Sequence, residues 1–154
     1  MKKFFFILLL AFISLSIVAC ADSIGKDAPE ISAKSWLNGT GLKLADNKDK
    51  IVVVEFWATW CPPCRASIPH LKQMNAKYKD KNVVFVSLTN EAKDKVESFA
   101  QQAGMDWLVG MGSMTGSQYG VRGIPHAFII KDGKIAWEGH PMSGLEQKLA
   151  EMTK

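Results

Sequence analysis

The sequence predicts an α/β fold whose central sheet is partly parallel and partly antiparallel, with helices on both faces. Two apolar runs of strand length, at residues 51–57 and 83–88, are each followed by a stretch with helical spacing. A hairpin comes later, because residues 127–130 and 134–138 flank the turn sequence Lys131-Asp132-Gly133. The strand–helix–strand order favours a parallel pair and the hairpin adds an antiparallel one, so the predicted sheet is mixed.

The first helix is predicted directly after the first strand, at residues 62–79. Pro62 and Pro63 suit its first turn, where a backbone N–H has no partner inside the helix. One side of this stretch is apolar and should face the core. The residues on that side are Ile68, Leu71, Met74 and Tyr78.

Two further helices are predicted from their end signals. Asn90 is a candidate cap for a helix that runs to about Ala103, with Gly104 as its stop. Ser143 and Glu146 have the spacing of a capping box for the last helix, which should bury Leu145 and Leu149. Residues 105–120 between them are irregular, and a short strand with one or two helical turns is expected there.

The composition suits one globular domain preceded by a short leader. The chain has 154 residues, of which 47% are apolar and 22% are charged. The formal net charge is +4, but Lys2 and Lys3 lie in the leader, and without them 17 basic residues face 15 acidic ones. No basic run is interleaved with aromatic residues, so the sequence predicts no nucleic-acid partner.

Residues 1–19 read as a secretory signal peptide. Lys2 and Lys3 form a positive start, residues 4–12 are an unbroken apolar run, and the apolar stretch is short for a spanning helix. The alternative is an N-terminal membrane anchor that is never cleaved.

The end of this leader, Ile17-Val18-Ala19-Cys20, resembles the lipobox of bacterial lipoproteins. The resemblance implies that Cys20 is acylated and holds the protein on a lipid bilayer. Residues 20–30 would then be a lipidated tether and residues 31–154 the folded domain. The expected location is the bacterial cell envelope, facing the periplasm or the outer surface. Ala21 in place of Asp favours the outer membrane over the inner one. The alternative is an ordinary signal peptide in which Cys20 has no role.

The two remaining cysteines, Cys61 and Cys64, lie where the first strand gives way to the first helix. Free N–H groups and the helix dipole stabilise a thiolate at this junction, so Cys61 should be the more exposed and more reactive thiol. Cys64, one turn into the helix, should be the resolving thiol. Half of a zinc site is the alternative, but the sequence contains no second CxxC and no HxxxH.

A family resemblance rests on three segments around these cysteines. Residues 54–64, Val-Glu-Phe-Trp-Ala-Thr-Trp-Cys-Pro-Pro-Cys, resemble the active-site strand and loop of thioredoxin. The Pro-Pro pair and the following Arg65-Ala66-Ser67-Ile68-Pro69 are most similar to the TlpA/ResA-like branch. Val121-Arg122-Gly123-Ile124-Pro125 resembles the segment that places a cis-proline opposite the cysteines. The resemblance extends from Ala28 to the C-terminus.

This resemblance implies a thioredoxin fold and a thiol–disulfide oxidoreductase with no cofactor other than the redox-active disulfide Cys61–Cys64. It makes Pro125 part of the catalytic centre, through a cis bond that exposes the backbone of Ile124 to an extended client. A trans proline at the start of a strand is the alternative. Trp60, Pro62 and Pro63 complete the expected substrate-binding rim. The implied partners are client proteins with disulfides or thiols, such as apocytochrome c or copper-site proteins, and a membrane thiol electron donor.

Glu55 is the only charged residue in the segment 51–60, on a strand that should be buried. Burial of a carboxylate raises its pKa until it can hold a proton near neutral pH. In thioredoxin the matching position carries an acid that helps to deprotonate the resolving cysteine, which points to Cys64 here. The alternative is a solvated Glu55 at a sheet edge.

His126 follows Pro125 and has two interpretations. It could tune the thiolate or join Cys61 and Cys64 as a copper or zinc ligand. It could equally be a hydrogen-bonded strand histidine, which alternation along the strand favours because it points His126 away from Pro125. No metal site is predicted. Three methionines in the irregular segment could suggest copper(I) but are more typical of core filling, namely Met105, Met111 and Met114.

The leading functional hypothesis is a disulfide reductase anchored in the envelope, with a role such as cytochrome c maturation. An oxidant that forms disulfides would use the same residues, and only the redox potential separates the two. A peroxidase is disfavoured because Thr59 is one position too close to Cys61. A copper or haem chaperone that uses Cys61, Cys64 and His126 is the alternative from a different class.

Overall fold

A computed structural model describes residues 23–154, so the predicted signal peptide and Cys20 lie outside the described residues. Six strands and three α-helices make up the domain. In chain order they are β1 (Ser35–Leu37), β2 (Ile51–Phe56), α1 (Pro62–Tyr78), β3 (Val83–Thr89), α2 (Lys93–Gln102), β4 (Leu108–Met111), β5 (His126–Lys131), β6 (Lys134–Gly139) and α3 (Leu145–Met152). Within residues 23–154, no helix combines the length and the apolar character that a membrane span requires.

The six strands form one mixed sheet in the order β1-β4-β3-β2-β5-β6. The central strands β2, β3 and β4 run parallel to one another, whereas β1, β5 and β6 pair with their neighbours in the antiparallel sense. Every residue of β2 is buried, as expected for a strand covered on both faces. The predicted mixed α/β sheet is confirmed.

The α-helices lie on one face of this sheet, which corrects the prediction of helices on both faces. The buried side chains of α1, α2 and α3 form one core cluster with alternate strand residues such as Val53 and Ile129. The other face packs against the N-terminal segment and a 3-10 turn at Leu44–Asp46. Because β2, β3 and β4 follow one another in the same direction across the sheet, right-handed crossovers place α1 and α2 on the same face.

Several local predictions are confirmed by the element bounds. The predicted apolar side of α1 is buried, and Gly104 ends the region of α2 in a left-handed conformation. Asp132 and Gly133 both have positive φ angles, as the two-residue turn of the β5–β6 hairpin requires. Residues 105–120 contain β4 and a 3-10 turn at Thr115–Ser117, in agreement with the expected strand and helical turn.

Both predicted helix caps are wrong. Helix α2 begins at Lys93 after Ala92, which makes no side-chain capping bond, so Asn90 does not cap it. Helix α3 begins after Gly144, and Ser143 does not cap it. Glu146 instead accepts a hydrogen bond from the ammonium group of Lys77 on α1, at 2.7 Å. A contact between helices has thus replaced the local one.

The chain is paired with the sheet before the predicted domain start at residue 31. Gly25 N–H donates to the carbonyl of Ile135, and Ala28 N–H donates to that of Gly133. Lys134 also binds the carboxylate of Asp27 at 2.7 Å. The part of the predicted tether from Gly25 onward therefore lies against the β5–β6 hairpin.

Candidate active site

The two cysteines form a disulfide at the N-terminus of α1. Cys61 is the N-cap of this helix, and its Sγ accepts a hydrogen bond from the backbone N–H of Cys64 at 3.3 Å. A backbone donor at the positive end of a helix favours the thiolate of Cys61 once the disulfide is reduced. Cys61 is 3% exposed and Cys64 is 0% exposed, so the predicted difference in exposure is small in the oxidised form.

Ile124 lies directly against Cys61. The peptide bond between Ile124 and Pro125 is cis, as predicted. The Sγ atom of Cys61 is 3.7 Å from the carbonyl oxygen of Ile124. Pro62 and Pro63 are exposed, and they line a depression together with Trp60, Cys61 and Ile124. The structure therefore brings the predicted substrate-binding residues together around Cys61.

Glu55 is buried beneath this site, which excludes the solvated alternative. Its side chain is 2% exposed, and burial raises the pKa of the carboxyl to about 7, against an opposing effect of the nearby hydroxyls of Ser87 and Ser67. The hydroxyl of Ser87 donates to Oε2 at 2.6 Å. Oε1 is buried and has no hydrogen-bond partner among residues 23–154. Glu55 can therefore exchange a proton near neutral pH.

Ser67 connects the carboxyl with the resolving cysteine. It lies one turn after Cys64 on α1 and is fully buried. Its hydroxyl donates to the carbonyl of Cys64 at 2.8 Å. It also lies close enough to Glu55 to favour the charged form of the carboxyl. The arrangement places Glu55 on the same face of the sheet as the Cys64 end of α1.

An apolar groove of about 300 Å³ opens beside the cysteines. Trp60 and Met114 flank it and are 69% and 71% exposed, so Met114 is not the core filler that was predicted, whereas Met105 and Met111 are buried. Its floor and walls are mostly apolar and include Phe56, Leu88, Val121 and Ile124. We call this the rim groove.

Glu91 holds the loop that carries Trp60. Its two carboxylate oxygens accept hydrogen bonds from the backbone N–H of Thr59 at 2.7 Å and from the Thr59 hydroxyl at 2.8 Å. The carbonyl of Glu91 also accepts from the N–H of Gly112, and Ser113 N–H donates to the carbonyl of Thr89. These bonds join both walls of the rim groove to the end of β3, so the groove is formed before a client arrives.

His126 lies on the other face of the sheet from the cysteines. Its ring packs against Phe128, 4.9 Å between centroids, and Phe128 belongs to the core cluster on the face without α-helices. Its Nε2 is 3.7 Å from Oε2 of Glu138, an ion pair only when the imidazole is protonated. The chaperone hypothesis therefore loses its third ligand, and no group of three potential metal ligands occurs in the described part of the chain.

Four residues of the site were not predicted from the sequence: Ser67, Ser87, Trp107 and Glu91. Ser87 had a usable signal, since it is the polar exception in a buried strand and pairs in register with Glu55. Trp107 lies in the segment with no clear pattern and donates its indole N–H to Ser87 at 2.8 Å. Glu91 lies in a loop, where sequence spacing gives no indication of a contact with Thr59.

Comparison with known sequences identifies relatives over most of the chain. A sequence profile of the AhpC/TSA family matches residues 24–138. The chain is 36% identical over 135 residues to the thiol-disulfide oxidoreductase ResA of Bacillus thuringiensis strain Al Hakam, which covers 85% of this chain and 72% of the relative. It is 32% identical over 133 residues to the thioredoxin-like protein YneN of Bacillus subtilis, with 81% and 78% covered.

Solved structures resemble the fold over a similar extent. A thiol:disulfide interchange protein of the thioredoxin family from Chlorobium tepidum matches with a TM-score of 0.67 at 26% identity, over 86% of this chain and 99% of that one. The thioredoxin domain of a thiol-disulfide oxidoreductase from Bacteroides vulgatus matches with a TM-score of 0.75 at 21% identity, over 87% of this chain and all of that one, and this likeness concerns the fold alone.

Proposed function

This chain belongs to the AhpC/TSA family of thioredoxin-like proteins and is a thiol–disulfide oxidoreductase, and from this premise we propose that it reduces protein disulfides in the bacterial cell envelope. The observation that carries the proposal is the pair Cys61–Cys64 at the start of α1, with the carbonyl of Ile124 beside Cys61. Clients are proteins with accessible disulfides or thiols, and apocytochrome c or copper-site proteins fit this chemistry.

The reaction begins with the reduced pair. The thiolate of Cys61 attacks one sulfur of a client disulfide, the client S–S bond breaks, and the departing client sulfur takes up a proton. Cys64 then loses its proton and attacks the sulfur of Cys61. The mixed disulfide breaks, the second client thiol leaves, and the Cys61–Cys64 disulfide forms. Two electrons have passed to the client, and a thiol donor at the membrane must restore the reduced pair.

Glu55 supplies the proton acceptor for the second step. A carboxyl with a pKa of about 7 is partly ionised at neutral pH and can take the proton of Cys64 as that thiol becomes a nucleophile. Ser67 supports this assignment, because it binds the backbone of Cys64 and lies beside the carboxyl. When the thiol donor attacks Cys61 to reduce the pair again, the Cys61–Cys64 bond breaks and the departing Cys64 takes the proton back from Glu55.

The rim groove supports a polypeptide client rather than a small disulfide. A client cysteine that bonds to Cys61 must bring its neighbouring residues across Trp60 and Ile124, because Cys61 itself is almost fully buried. The groove next to these residues is apolar and preformed. An apolar side chain beside the client cysteine would be removed from water there.

Two features support the direction of electron flow. Strongly oxidising thiol–disulfide oxidoreductases stabilise their reduced thiolate with a positive charge or a hydrogen-bond donor between the cysteines. Here the residues between the cysteines are prolines, which offer neither. Ile124 before Pro125 matches thioredoxin in the resemblance described above. His126, which could have raised the potential, faces away from the cysteines.

The decisive experiment is the redox potential of the pair. Equilibration of the purified protein with a series of glutathione or dithiothreitol buffers should give a midpoint closer to thioredoxin, at about −270 mV, than to DsbA, at about −120 mV. A midpoint near that of DsbA would reverse the proposed direction and make the protein an oxidant. The thiol–disulfide chemistry of the pair would stand in either case.

A further inference from the structure

A chain of hydrogen bonds runs from Trp107, the residue before β4, through β3 to the carboxyl of Glu55. The indole Nε1–H of Trp107 donates to the hydroxyl oxygen of Ser87 at 2.8 Å, and the hydroxyl of Ser87 donates to Oε2 of Glu55 at 2.6 Å. All three side chains are at most 4% exposed. The chain lies on the sheet, whereas the cysteines are held by α1, so it is separate from the residues that touch a client.

The chemistry of the donors fixes the direction of these bonds. An indole N–H can only donate, so Ser87 cannot send its proton to Trp107. Of the two partners of the Ser87 hydroxyl, only the carboxyl can accept that proton. The short distance of 2.6 Å between the two oxygens is typical of a hydroxyl that donates to a carboxylate. Oε2 is therefore occupied as an acceptor.

The other oxygen of the Glu55 carboxyl, Oε1, differs from Oε2 in its hydrogen bonding. Oε1 is enclosed and without a hydrogen-bond partner in the described part of the protein. A buried polar atom without a partner is costly, and the cost is greatest when the atom is charged. A proton on Oε1 removes that charge, whereas a proton on Oε2 would compete with the hydrogen of Ser87.

We propose that Ser87 and Trp107 are positioning residues that hold Oε2 of Glu55 as an acceptor and leave Oε1 as the oxygen that takes and releases the proton. When Cys64 attacks the mixed disulfide, its proton passes to Oε1 and the carboxylate becomes a neutral acid. The hydrogen bond at Oε2 is kept throughout, so the carboxyl need not turn. The functional meaning of this assignment rests on the proposed role of Glu55 as the proton acceptor for Cys64.

The surroundings of Glu55 leave few other groups that could control its titration. β3 contributes Ser87, β5 contributes Ala127 in register, and α1 contributes Ser67, with the titratable Cys64 one turn earlier. Burial raises its pKa, the two serine hydroxyls oppose that rise, and no charged side chain of residues 23–154 is among the causes of the shift. The hydroxyl of Ser67 already donates to the carbonyl of Cys64.

Infrared difference spectroscopy on the oxidised full-length protein tests the assignment directly. The buried acid should give a carboxylic C=O band whose loss with rising pH has a midpoint near 7, and Glu55→Gln should abolish the band. In Ser87→Ala the midpoint should rise by about one pH unit or more, because a hydrogen bond to a charged group is lost. The C=O band should also move to higher frequency, since Oε2 is no longer bonded.

Three further variants separate positioning from general damage. Trp107→Phe should raise the midpoint by less than Ser87→Ala, because the hydroxyl remains but has lost its donor. Ser87→Thr keeps a hydroxyl and should restore both the midpoint and the band position. Ser98→Ala makes the same substitution at an exposed site of α2 and should leave the spectrum unchanged.

The outcomes distinguish this inference from the proposed function. If Ser87→Ala leaves both the midpoint and the band in place while the protein stays folded, Ser87 does not hold Oε2 and the inference is wrong. The role of Glu55 is tested separately, by the pH profile of client release in a single turnover. If Glu55→Gln leaves that profile unchanged, Glu55 is not the proton acceptor for Cys64, whatever the spectra show.

Discussion

The carboxyl of Glu55 is enclosed between the sheet and α1, so its ionisation is coupled to folding. In the folded protein its pKa is about 7, compared with 4.5 for an ordinary glutamate. Between these values the folded state binds more protons than the unfolded state. The free energy of unfolding therefore decreases as the pH rises from about 4.5 to about 7, and the stabilisation present in acid is lost above that range.

Replacement of Glu55 by glutamine should remove this dependence. At pH 8 the wild-type protein holds a buried charge that Glu55→Gln lacks. Between pH 5 and pH 8 the wild-type protein should therefore lose up to about 3 kcal/mol of unfolding free energy that the variant keeps. Urea unfolding of both oxidised proteins at pH 5, 6, 7 and 8 measures this difference. Glu151→Gln, at an exposed site of α3, is the control and should follow wild type. Parallel curves for Glu55→Gln and wild type would show that burial of Glu55 does not affect folding.

The two cysteines should differ in what they trap. The Sγ atom of Cys61 accepts a hydrogen bond from the backbone N–H of Cys64 at the start of α1, and Cys61 should therefore attack the client first. In Cys64→Ser the mixed disulfide cannot be resolved, and client proteins should accumulate as adducts on Cys61, visible on non-reducing gels and lost with dithiothreitol. Cys61→Ser is the matched variant and should trap few adducts. Stronger trapping by Cys61→Ser would assign the attack to Cys64.

Some residues of the active site could be predicted from the sequence and others could not. The Cys61–Cys64 pair, Pro125 and Glu55 carry signals in their own neighbours, such as the lone charge within a buried strand. Ser87 bonds to Glu55 across a separation of 32 residues, and Trp107 bonds to Ser87 across 20 residues, so the local spacing of the sequence does not reveal these contacts. The position of Ser87 could have been obtained from the parallel register of β2 and β3, once that register was known.

Among the elements, the segment from β4 to β5 forms the outer wall of the rim groove. The 3-10 turn at Thr115–Ser117 follows Met114, and Thr115 N–H and its hydroxyl are bonded to Ser113 and Ser32. The turn thereby holds Met114 outward, with 71% of its surface exposed, at the edge of the groove. An exposed apolar side chain beside an active site indicates a contact surface for a partner.

Substitution of Met114 should weaken reduction of protein clients selectively. In Met114→Ser the catalytic efficiency kcat/KM for a peptide disulfide with an aromatic residue next to cysteine should fall about fivefold, which corresponds to about 1 kcal/mol of lost apolar contact. Reduction of glutathione disulfide, which has no apolar side chain to place in the groove, should be unchanged. Met142→Ser is the control, since Met142 is also exposed but does not line the groove. Equal losses for both substrates would indicate general damage, and no loss would remove Met114 from the client site.

The element boundaries show where local signals are overruled. Ser143 and Glu146 have the spacing of a capping box, yet Glu146 pairs with Lys77 because α1 passes within reach in the folded domain. Asn90 precedes α2 by three residues, and Glu91 next to it is bound to Thr59. The strand β1 has only three residues and is stabilised by its pairing with β4. A segment this short shows no alternation of apolar and polar residues from which a strand could be predicted.

At the scale of the whole molecule, the order of strands and helices along the chain was sufficient to predict a mixed sheet. It was not sufficient to predict which face of the sheet the α-helices cover. The direction of the β2–β3–β4 steps decides which face the helices cover, and the sequence does not state that direction. The hairpin was predictable, because Asp132 and Gly133 can adopt the left-handed conformation that the turn requires.

The attachment of the protein to a membrane is a prediction at this scale. If Cys20 is acylated, the native protein should sediment with membranes, and mass spectrometry should find a lipid-modified Cys20 as its first residue. Cys20→Ser should move the protein to the soluble fraction with its thiol–disulfide oxidoreductase activity intact, because the domain is folded from Gly25 onward. An unmodified N-terminus at Ala21 or beyond in the native protein would contradict lipidation.

The pairing of Gly25 and Ala28 with the β5–β6 hairpin fixes the position of the N-terminal end of the described chain relative to the active site. The tip of this hairpin lies beside Ile51, where β2 begins, and the disulfide follows the other end of the same strand. Six residues of β2, at about 3.3 Å each, separate the two ends by about 20 Å. The residues that begin the described chain therefore lie near one end of β2, and the redox centre lies at the other end. If Cys20 is acylated, the length of β2 separates the lipid anchor from the cysteines, and a client can approach them from the side that faces away from the membrane.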